Sequence, residues 1–191
     1  GVKNEHIVLL AKNKTGYKNI VKLDSLSYID GFYGKPRISY EYIKQHHEGV
    51  ICLSACLAGR MPQLLMKGDY DGAKKWAAEM KEIFGEDFYI ELQDHGIAEE
   101  KQIIPELIKI AKELDIQLVA TNDVHYIEKA DWEAHDVLLC IQTKKTLAEP
   151  KRMKFETQEF YMKSGGEMAE LFHYAPEAIT NTRVIADKIE E

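Results

Sequence analysis

The feature that most constrains the fold is a repeated alternation of short β-branched or aromatic runs with longer helical patterns. These runs lie at residues 6–10, Val50–Leu53, Phe88–Leu92 and Gln117–Ala120. Each run is followed by a polar turn and then by a longer stretch with helical periodicity, an order typical of βα units. We therefore predict an α/β fold in which parallel strands are surrounded by helices.

Two helices can be predicted from the spacing of apolar residues. Residues 73–84 place apolar side chains at i, i+3 and i+4 intervals, and Gly85 follows as a helix-terminating glycine. A second apolar stripe covers residues 104–114, but Pro105 would lie inside any helix that begins as early as Ala98. Since proline breaks or bends a helix interior, we expect this helix to begin near Pro105 or to kink there.

From about residue 129 onward the chain no longer shows the regular alternation of strands and helices. A helical stretch at about residues 129–142 leads into residues 146–163, where basic residues and Pro150 predict an irregular or hairpin segment. Ser164 with Glu167 three residues later is a capping-box signature, and Pro176 suits the first turn of a final helix.

Composition limits the class of protein. The chain has 191 residues, with 25 Lys and Arg against 32 Asp and Glu, which gives a net charge of −7 and suits one globular domain.

No run approaches the roughly 20 apolar residues of a membrane span, and no signal peptide opens the chain, so we expect a cytoplasmic protein. Because duplex binding depends on basic residues, any DNA contact should be local. The chain has three cysteines, which are too few for a disulfide framework and odd in number.

Polar residues directly after the predicted strands are the candidate site residues. In parallel α/β folds ligands bind beyond the carboxyl ends of the strands, where Cys56, His95, Asp123 and His125 all lie. The Asp-x-His spacing lets a carboxylate and an imidazole share one metal ion. Each also has a plain structural explanation: Cys56 as a small buried residue, His95 as a turn residue, and Asp123 as a helix cap.

A glycine-flanked loop is a second candidate site. Residues 31–37 combine two aromatic residues, Phe32 and Tyr33, with two cations, Lys35 and Arg37. Such a loop can hold a phosphate or stack a base. The alternative is a solvated basic loop with no ligand.

Several motifs together carry a family resemblance. They are HIVLLAKN at 6–13, GFYGKPRI at 31–38, LSACLAG at 53–59, ELQDHG at 91–96, ATNDVHY at 120–126, AHDVLLCIQT at 134–143 and FYMKS at 160–164. Over nearly the whole chain this set resembles the alpha-subunit family of bacterial DNA polymerase III, the C-family replicative polymerases. Within that family the chain is similar to the C-terminal part of the PHP (polymerase and histidinol phosphatase) domain.

The resemblance implies a fold and a set of site residues. It implies a partial, distorted (βα)7 barrel without its N-terminal strands, with residues 1–158 in the PHP domain and residues 159–191 as a helical segment leading toward the polymerase palm. By position it assigns His6, Cys56, Asp123 and His125 as metal ligands, and His6 rests on the resemblance alone. It places Lys35, Arg37 and His95 near the substrate phosphate.

The resemblance also implies cofactors and activities. The complete PHP site would hold divalent zinc, manganese or magnesium ions and hydrolyse phosphodiesters, with 3′ to 5′ exonuclease activity in some members, while the parent polymerase would use magnesium. Family members carry a His-x-His pair and Thr-Asp-His and Gly-Cys-Glu turns that this chain lacks. We therefore expect this fragment to be inactive by itself.

The implied partners are DNA, the proofreading exonuclease subunit and the sliding clamp, reached through the parent chain, with no membrane. Two alternatives stay open: a structural module that docks the proofreading subunit and braces the polymerase core, and a free-standing PHP phosphatase. Exposed sheet edges also predict self-association of the fragment.

Overall fold

The computed structural model describes residues 4–190, and in this part of the chain four strands form one sheet. The strands are β1 (Val8–Ala11), β2 (Val50–Leu53), β3 (Phe88–Leu92) and β4 (Gln117–Ala120), in the spatial order β1-β2-β3-β4. The bounds of β2, β3 and β4 confirm the sequence prediction. Strand β1 begins two residues later than predicted.

The strand directions correct one prediction. Strands β2, β3 and β4 are parallel, as expected, but β1 runs antiparallel to β2, with Val8 opposite Leu53 and Ala11 opposite Val50. The expected all-parallel arrangement is therefore wrong for β1. The connection from β1 to β2 runs through two helices.

Eight α-helices lie between and after the strands in the described residues. They are α1 (Lys14–Ile29), α2 (Tyr40–Gln45), α3 (Arg60–Met66), α4 (Tyr70–Phe84), α5 (Ala98–Leu114), α6 (Trp132–Thr143), α7 (Gly165–Leu171) and α8 (Pro176–Asp187). Short 3₁₀ turns at Gly85–Asp87 and Lys129–Asp131 precede β3 and α6.

Most helix predictions are confirmed, but a start of α5 near Pro105 is wrong, while a kink at Pro105 stays a prediction. Helix α4 ends at Gly85, Ser164 and Glu167 form the capping box of α7, and Pro176 opens α8. Helix α5 begins at Ala98 and continues through Pro105 instead of beginning there. Acidic residues in its first turn favour the early start, because they complement the helix dipole.

The helices bury both faces of the sheet. A large apolar core lies between one face and helices α3, α4 and α5, and includes Trp76, Met80 and Leu107. A smaller core on the other face joins Ile51, Tyr89 and other strand residues to helix α8. No helix in residues 4–190 is both long and apolar enough to cross a membrane.

Candidate functional site at the carboxyl edge of the sheet

The reversed direction of β1 brings His6 to the candidate site. Because β1 is antiparallel to β2, the residues before β1 lie at the edge where β2 ends. The backbone N–H of His6 donates to the carbonyl of Ala58 at 3.0 Å. His6 Nδ1 then lies 3.9 Å from the Sγ of Cys56, which follows β2. One histidine and one cysteine are thus neighbours although 50 residues separate them.

A strained turn presents Cys56. Ala55 has φ of 67°, in the left-handed region that non-glycine residues seldom adopt. Its N–H donates to Glu91 Oε2 at 2.8 Å. Gly59 closes the turn, since a Cβ there would lie 2.4 Å from the Ser54 carbonyl oxygen. Glu91 on the neighbouring strand therefore stabilises the backbone that aims Cys56.

Glu91 is a buried carboxylate at the centre of this edge. It is 5% exposed and accepts hydrogen bonds from Thr121 Oγ1 and from Gln93 Nε2, in addition to the Ala55 N–H. Burial raises its pKa, and these hydrogen bonds oppose that rise. Sequence reasoning assigned Glu91 no role. The signal was available, because a glutamate inside an otherwise apolar strand must find polar partners.

Asp123 and His125 form a second pair of possible ligands on the turn after β4. Asp123 Oδ1 lies 3.7 Å from His125 Nδ1, and both side chains reach solvent. His125 Nδ1 also lies 2.9 Å from the backbone carbonyl oxygen of Asp123. The two side chains are therefore neighbours, as the Asp-x-His spacing predicts.

The buried His95 side chain supports the turn that carries Asp123. Its Nε2 accepts the N–H of Asp123 at 3.0 Å, and its Nδ1 lies 2.8 Å from Glu100 Oε1. These partners require a proton on Nδ1 and none on Nε2. His95 is 1% exposed and both ring nitrogens are engaged, so no nitrogen is free for a phosphate.

Residues 155–162 pack against the same turn. The Phe160 ring stacks on His95 with centroids 4.3 Å apart and planes 2° from parallel, and its carbonyl accepts the His125 N–H at 2.8 Å. His135 and Phe155 pack against the His125 ring. The pKa of His135 is lowered by burial and, to a smaller extent, by His125. The contacts of His125 with Phe155 and Phe160 were not foreseen, because 30 or more residues separate these partners along the chain.

The two donor pairs fit a metal only in part. Zinc bonds of about 2.3 Å to sulfur and 2.0 Å to nitrogen place such ligands roughly 3.5 Å apart, close to the His6–Cys56 separation. The pKa of the Cys56 thiol is raised by burial and by the nearby charge of Asp123, so a thiolate there calls for a cation. Within residues 4–190, however, no three His, Cys, Asp or Glu side chains converge on one point.

The loop at residues 31–37 lies between helices α1 and α2. Arg37 lies with its Cζ 5.4 Å from the centre of the Tyr33 ring, and Lys35 is exposed. Burial raises the pKa of Tyr40, just after the loop, and the charges of Glu5 and Arg60 have smaller effects on it. Glu5 and Arg60 form an ion pair at 2.6 Å beside His6. Lys35 is thus exposed, whereas His95 is buried.

Comparison with known proteins supplies the relationship. The PHP domain family matches residues 2–95. The DNA polymerase III alpha subunit of Treponema pallidum is 51% identical over 184 residues, which cover 96% of this chain and 16% of that protein. Those of Borreliella burgdorferi and Thermus aquaticus are 44% and 43% identical, and cover 100% and 95% of this chain. The chain spans about a sixth of the length of these relatives.

Proposed function

The chain belongs to the bacterial DNA polymerase III alpha-subunit family and matches its PHP region, and from this premise we propose that it supplies part of a metal-dependent phosphodiesterase site. The substrate would be DNA, cleaved from its 3′ end. The parent protein would synthesise DNA with magnesium at carboxylates outside this chain. The proofreading exonuclease subunit and the sliding clamp would be partners of that parent.

One observation carries the proposal. The antiparallel direction of β1 brings the His6–Cys56 pair to the same sheet edge as the Asp123–His125 pair. The influence of Asp123 on the pKa of Cys56 supports their proximity. A thiolate donor beside imidazole and carboxylate donors favours zinc over magnesium or manganese, which prefer oxygen ligands.

Residues of this chain would serve either as metal ligands or as groups that position those ligands. A bound divalent cation would supply a hydroxide nucleophile and neutralise phosphate charge. Asp123 and His125 would contribute one pair of ligands from the turn after β4, and His6 and Cys56 a second pair beside β1 and β2. Glu91 would fix the Cys56 turn, and His95 with Glu100 would fix the Asp123 backbone.

The phosphate contacts need one revision. We propose Lys35 and Arg37 as cations for the DNA backbone, since both belong to one loop that also presents the Tyr33 ring. His95, first placed near the substrate phosphate, is better suited to positioning, because Asp123 and Glu100 occupy its ring nitrogens.

The architecture extends this proposal to the whole domain. The four-stranded sheet would be part of a distorted barrel, completed by strands of the parent protein outside this chain. Residues 1–158 would form the PHP part, and residues 159–191 would lead toward the palm. Because only two donor pairs are present, the isolated chain would be inactive.

Asp123→Asn in the full-length alpha subunit tests the proposal. The change keeps the size of the side chain and removes its negative charge, so bound metal and 3′ to 5′ excision should both fall by at least about tenfold. Asp24→Asn, on the exposed face of α1, is the matched control. Unchanged metal content and excision in Asp123→Asn would refute the assignment.

A second candidate function, docking of the proofreading subunit, is favoured by helix α6. Leu138 and Ile141 lie one turn apart on this helix and are both mostly exposed. Exposed apolar side chains at this spacing suit a helix that packs against a partner. A pull-down with the proofreading subunit separates the two functions, because docking should survive Asp123→Asn and should weaken in Leu138→Asp.

A further inference from the structure

Three exposed aromatic rings cluster where α1 ends and the next loop begins. Tyr28, Phe32 and Tyr33 are each more than half exposed, and Tyr33 is 80% exposed. The rings of Tyr28 and Phe32 are stacked, with centroids 6.3 Å apart and planes 20° from parallel. Aromatic faces held in this way toward solvent offer flat surfaces on which planar groups can stack.

The same loop carries cations suited to an anion. Arg37 lies beside the Tyr33 ring, with Cζ 5.4 Å from its centre. Its Nε is buried and has no hydrogen-bond partner among residues 4–190. A buried donor without a partner is costly, and a guanidinium can still bind a phosphate through its terminal nitrogens. Lys35 adds a second positive charge two residues away.

The loop is held in shape before any ligand arrives. The N–H of Tyr33 donates to the carbonyl of Lys35 at 3.1 Å, around Gly34 with φ of 70°. Gly31 approaches the Arg37 carbonyl so closely that a Cβ would lie 1.9 Å from it. A ligand that binds such a loop loses less free energy to ordering.

We propose that the strip formed by Tyr28, Phe32, Tyr33, Lys35 and Arg37 binds single-stranded nucleic acid. Bases would stack on the three rings, and the backbone phosphates would contact Arg37 and Lys35. A duplex fits poorly, because its base faces are covered and two cations neutralise little of its charge on a chain of net charge −7. The strip rests on the proposed function in sharing Lys35 and Arg37 with it, but strand binding needs no metal, so a titration without metal separates its failure from a failure of hydrolysis.

Fluorescence anisotropy tests the strip. Labelled (dT)12, a 12-nucleotide abasic strand and a 12-base-pair duplex are titrated with this chain in EDTA, so that metal plays no part. The oligonucleotide (dT)12 should bind most tightly, and Tyr33→Ala should weaken its binding by about fivefold or more. Tyr17→Ala is the matched control, because Tyr17 is 64% exposed near the other end of α1.

A salt titration isolates the cations. Arg37→Gln should lower the slope of log K against log salt for (dT)12 by about 0.7, the value for one phosphate contact on a single strand. Arg183→Gln, an exposed arginine on α8, should leave the slope unchanged. Equal thermal midpoints would show that all variants are folded. Equal affinity for the abasic strand, or equal losses in Tyr33→Ala and Tyr17→Ala, would overturn the proposal.

Discussion

Among single residues, Glu91 connects the interior of the sheet to the candidate site. Its carboxylate accepts hydrogen bonds from the Ala55 N–H, the Thr121 hydroxyl and the Gln93 amide, which come from three different segments. The first of these supports a left-handed residue next to Cys56. A charged group so deeply placed is stable only while these donors face it.

We therefore expect Glu91→Ala to lower the free energy of unfolding by about 3 kcal/mol, because buried donors lose their acceptor. Urea denaturation measures the change. Glu91→Gln keeps one amide oxygen as an acceptor and should lose less. An alanine variant as stable as the glutamine variant would contradict the role given to the carboxylate.

Glu100 allows a test of positioning at the same scale. Its carboxylate accepts the His95 backbone N–H and faces Nδ1 of the same residue, which keeps Nε2 free to accept from Asp123. In the full-length alpha subunit, Glu100→Gln should weaken metal binding by about tenfold. Glu99→Gln, its exposed neighbour on α5, is the control for titration with zinc. Equal metal affinity in both variants would exclude a positioning role.

The sequence predicted many of these residues but not their connections. Cys56, Asp123 and His125 could be chosen because they follow strands in a predictable way. Glu91, Glu100 and Phe160 could not be linked to them, since their contacts depend on which strands are neighbours and on a segment that returns from residue 155 onward. Hydrogen-bond partners across such distances leave no local pattern.

At the scale of elements, strand β1 shows the limit of pattern reasoning. The composition of a short apolar run predicts a strand but carries no information on its direction. Strand direction decided the site, because an antiparallel β1 places its first residues, and so His6, at the carboxyl edge of β2. Helix α5 gives the opposite case, in which packing along its buried face outweighs the local effect of Pro105.

Asp87 gives a pH-dependent prediction for the contact between β1, α8 and the turn before β3. Burial alone would raise its pKa, but Lys12 and Lys188, at 2.7 and 2.8 Å, lower it overall. A lowered pKa means that the ion pairs stabilise the fold above the carboxyl's unfolded pKa of about 3.9 and are lost as pH falls through the folded value.

Asp87→Asn should accordingly cost about 1 kcal/mol at pH 7, and the difference from the parent chain should shrink below about pH 4. Thermal unfolding from pH 3 to pH 7 measures both curves. Asp71→Asn, at an exposed helix start, should run parallel to the parent chain. A difference at Asp87 that stays constant with pH would contradict the ion-pair explanation.

For the molecule as a whole, the two edges of the sheet differ. At β4, the Asn181 amide of α8 donates to the Leu118 carbonyl at 2.8 Å and so covers part of the edge. Within residues 4–190, β1 pairs only with β2, although Glu190 donates to the Lys12 carbonyl just beyond it. An edge strand with free backbone groups favours pairing with a second copy.

We therefore expect the chain to form dimers or larger species at high concentration. Sedimentation equilibrium over a hundredfold range of concentration would show a rising average mass. A constant monomer mass over that range would mean that the β1 edge is covered well enough to prevent pairing.

The central claim is that two donor pairs meet at one sheet edge and bind metal, and elemental analysis tests it most directly. Purified chain and full-length alpha subunit would be measured side by side, each also as Cys56→Ser. The account predicts stoichiometric metal in the full-length protein and a clear loss in its Cys56→Ser variant; metal in the shorter chain as well would show that the four residues suffice. Absence of metal from both unsubstituted proteins, the purified chain and the full-length subunit, would contradict the account. Full retention of metal in the Cys56→Ser variant of the full-length subunit would contradict it as well.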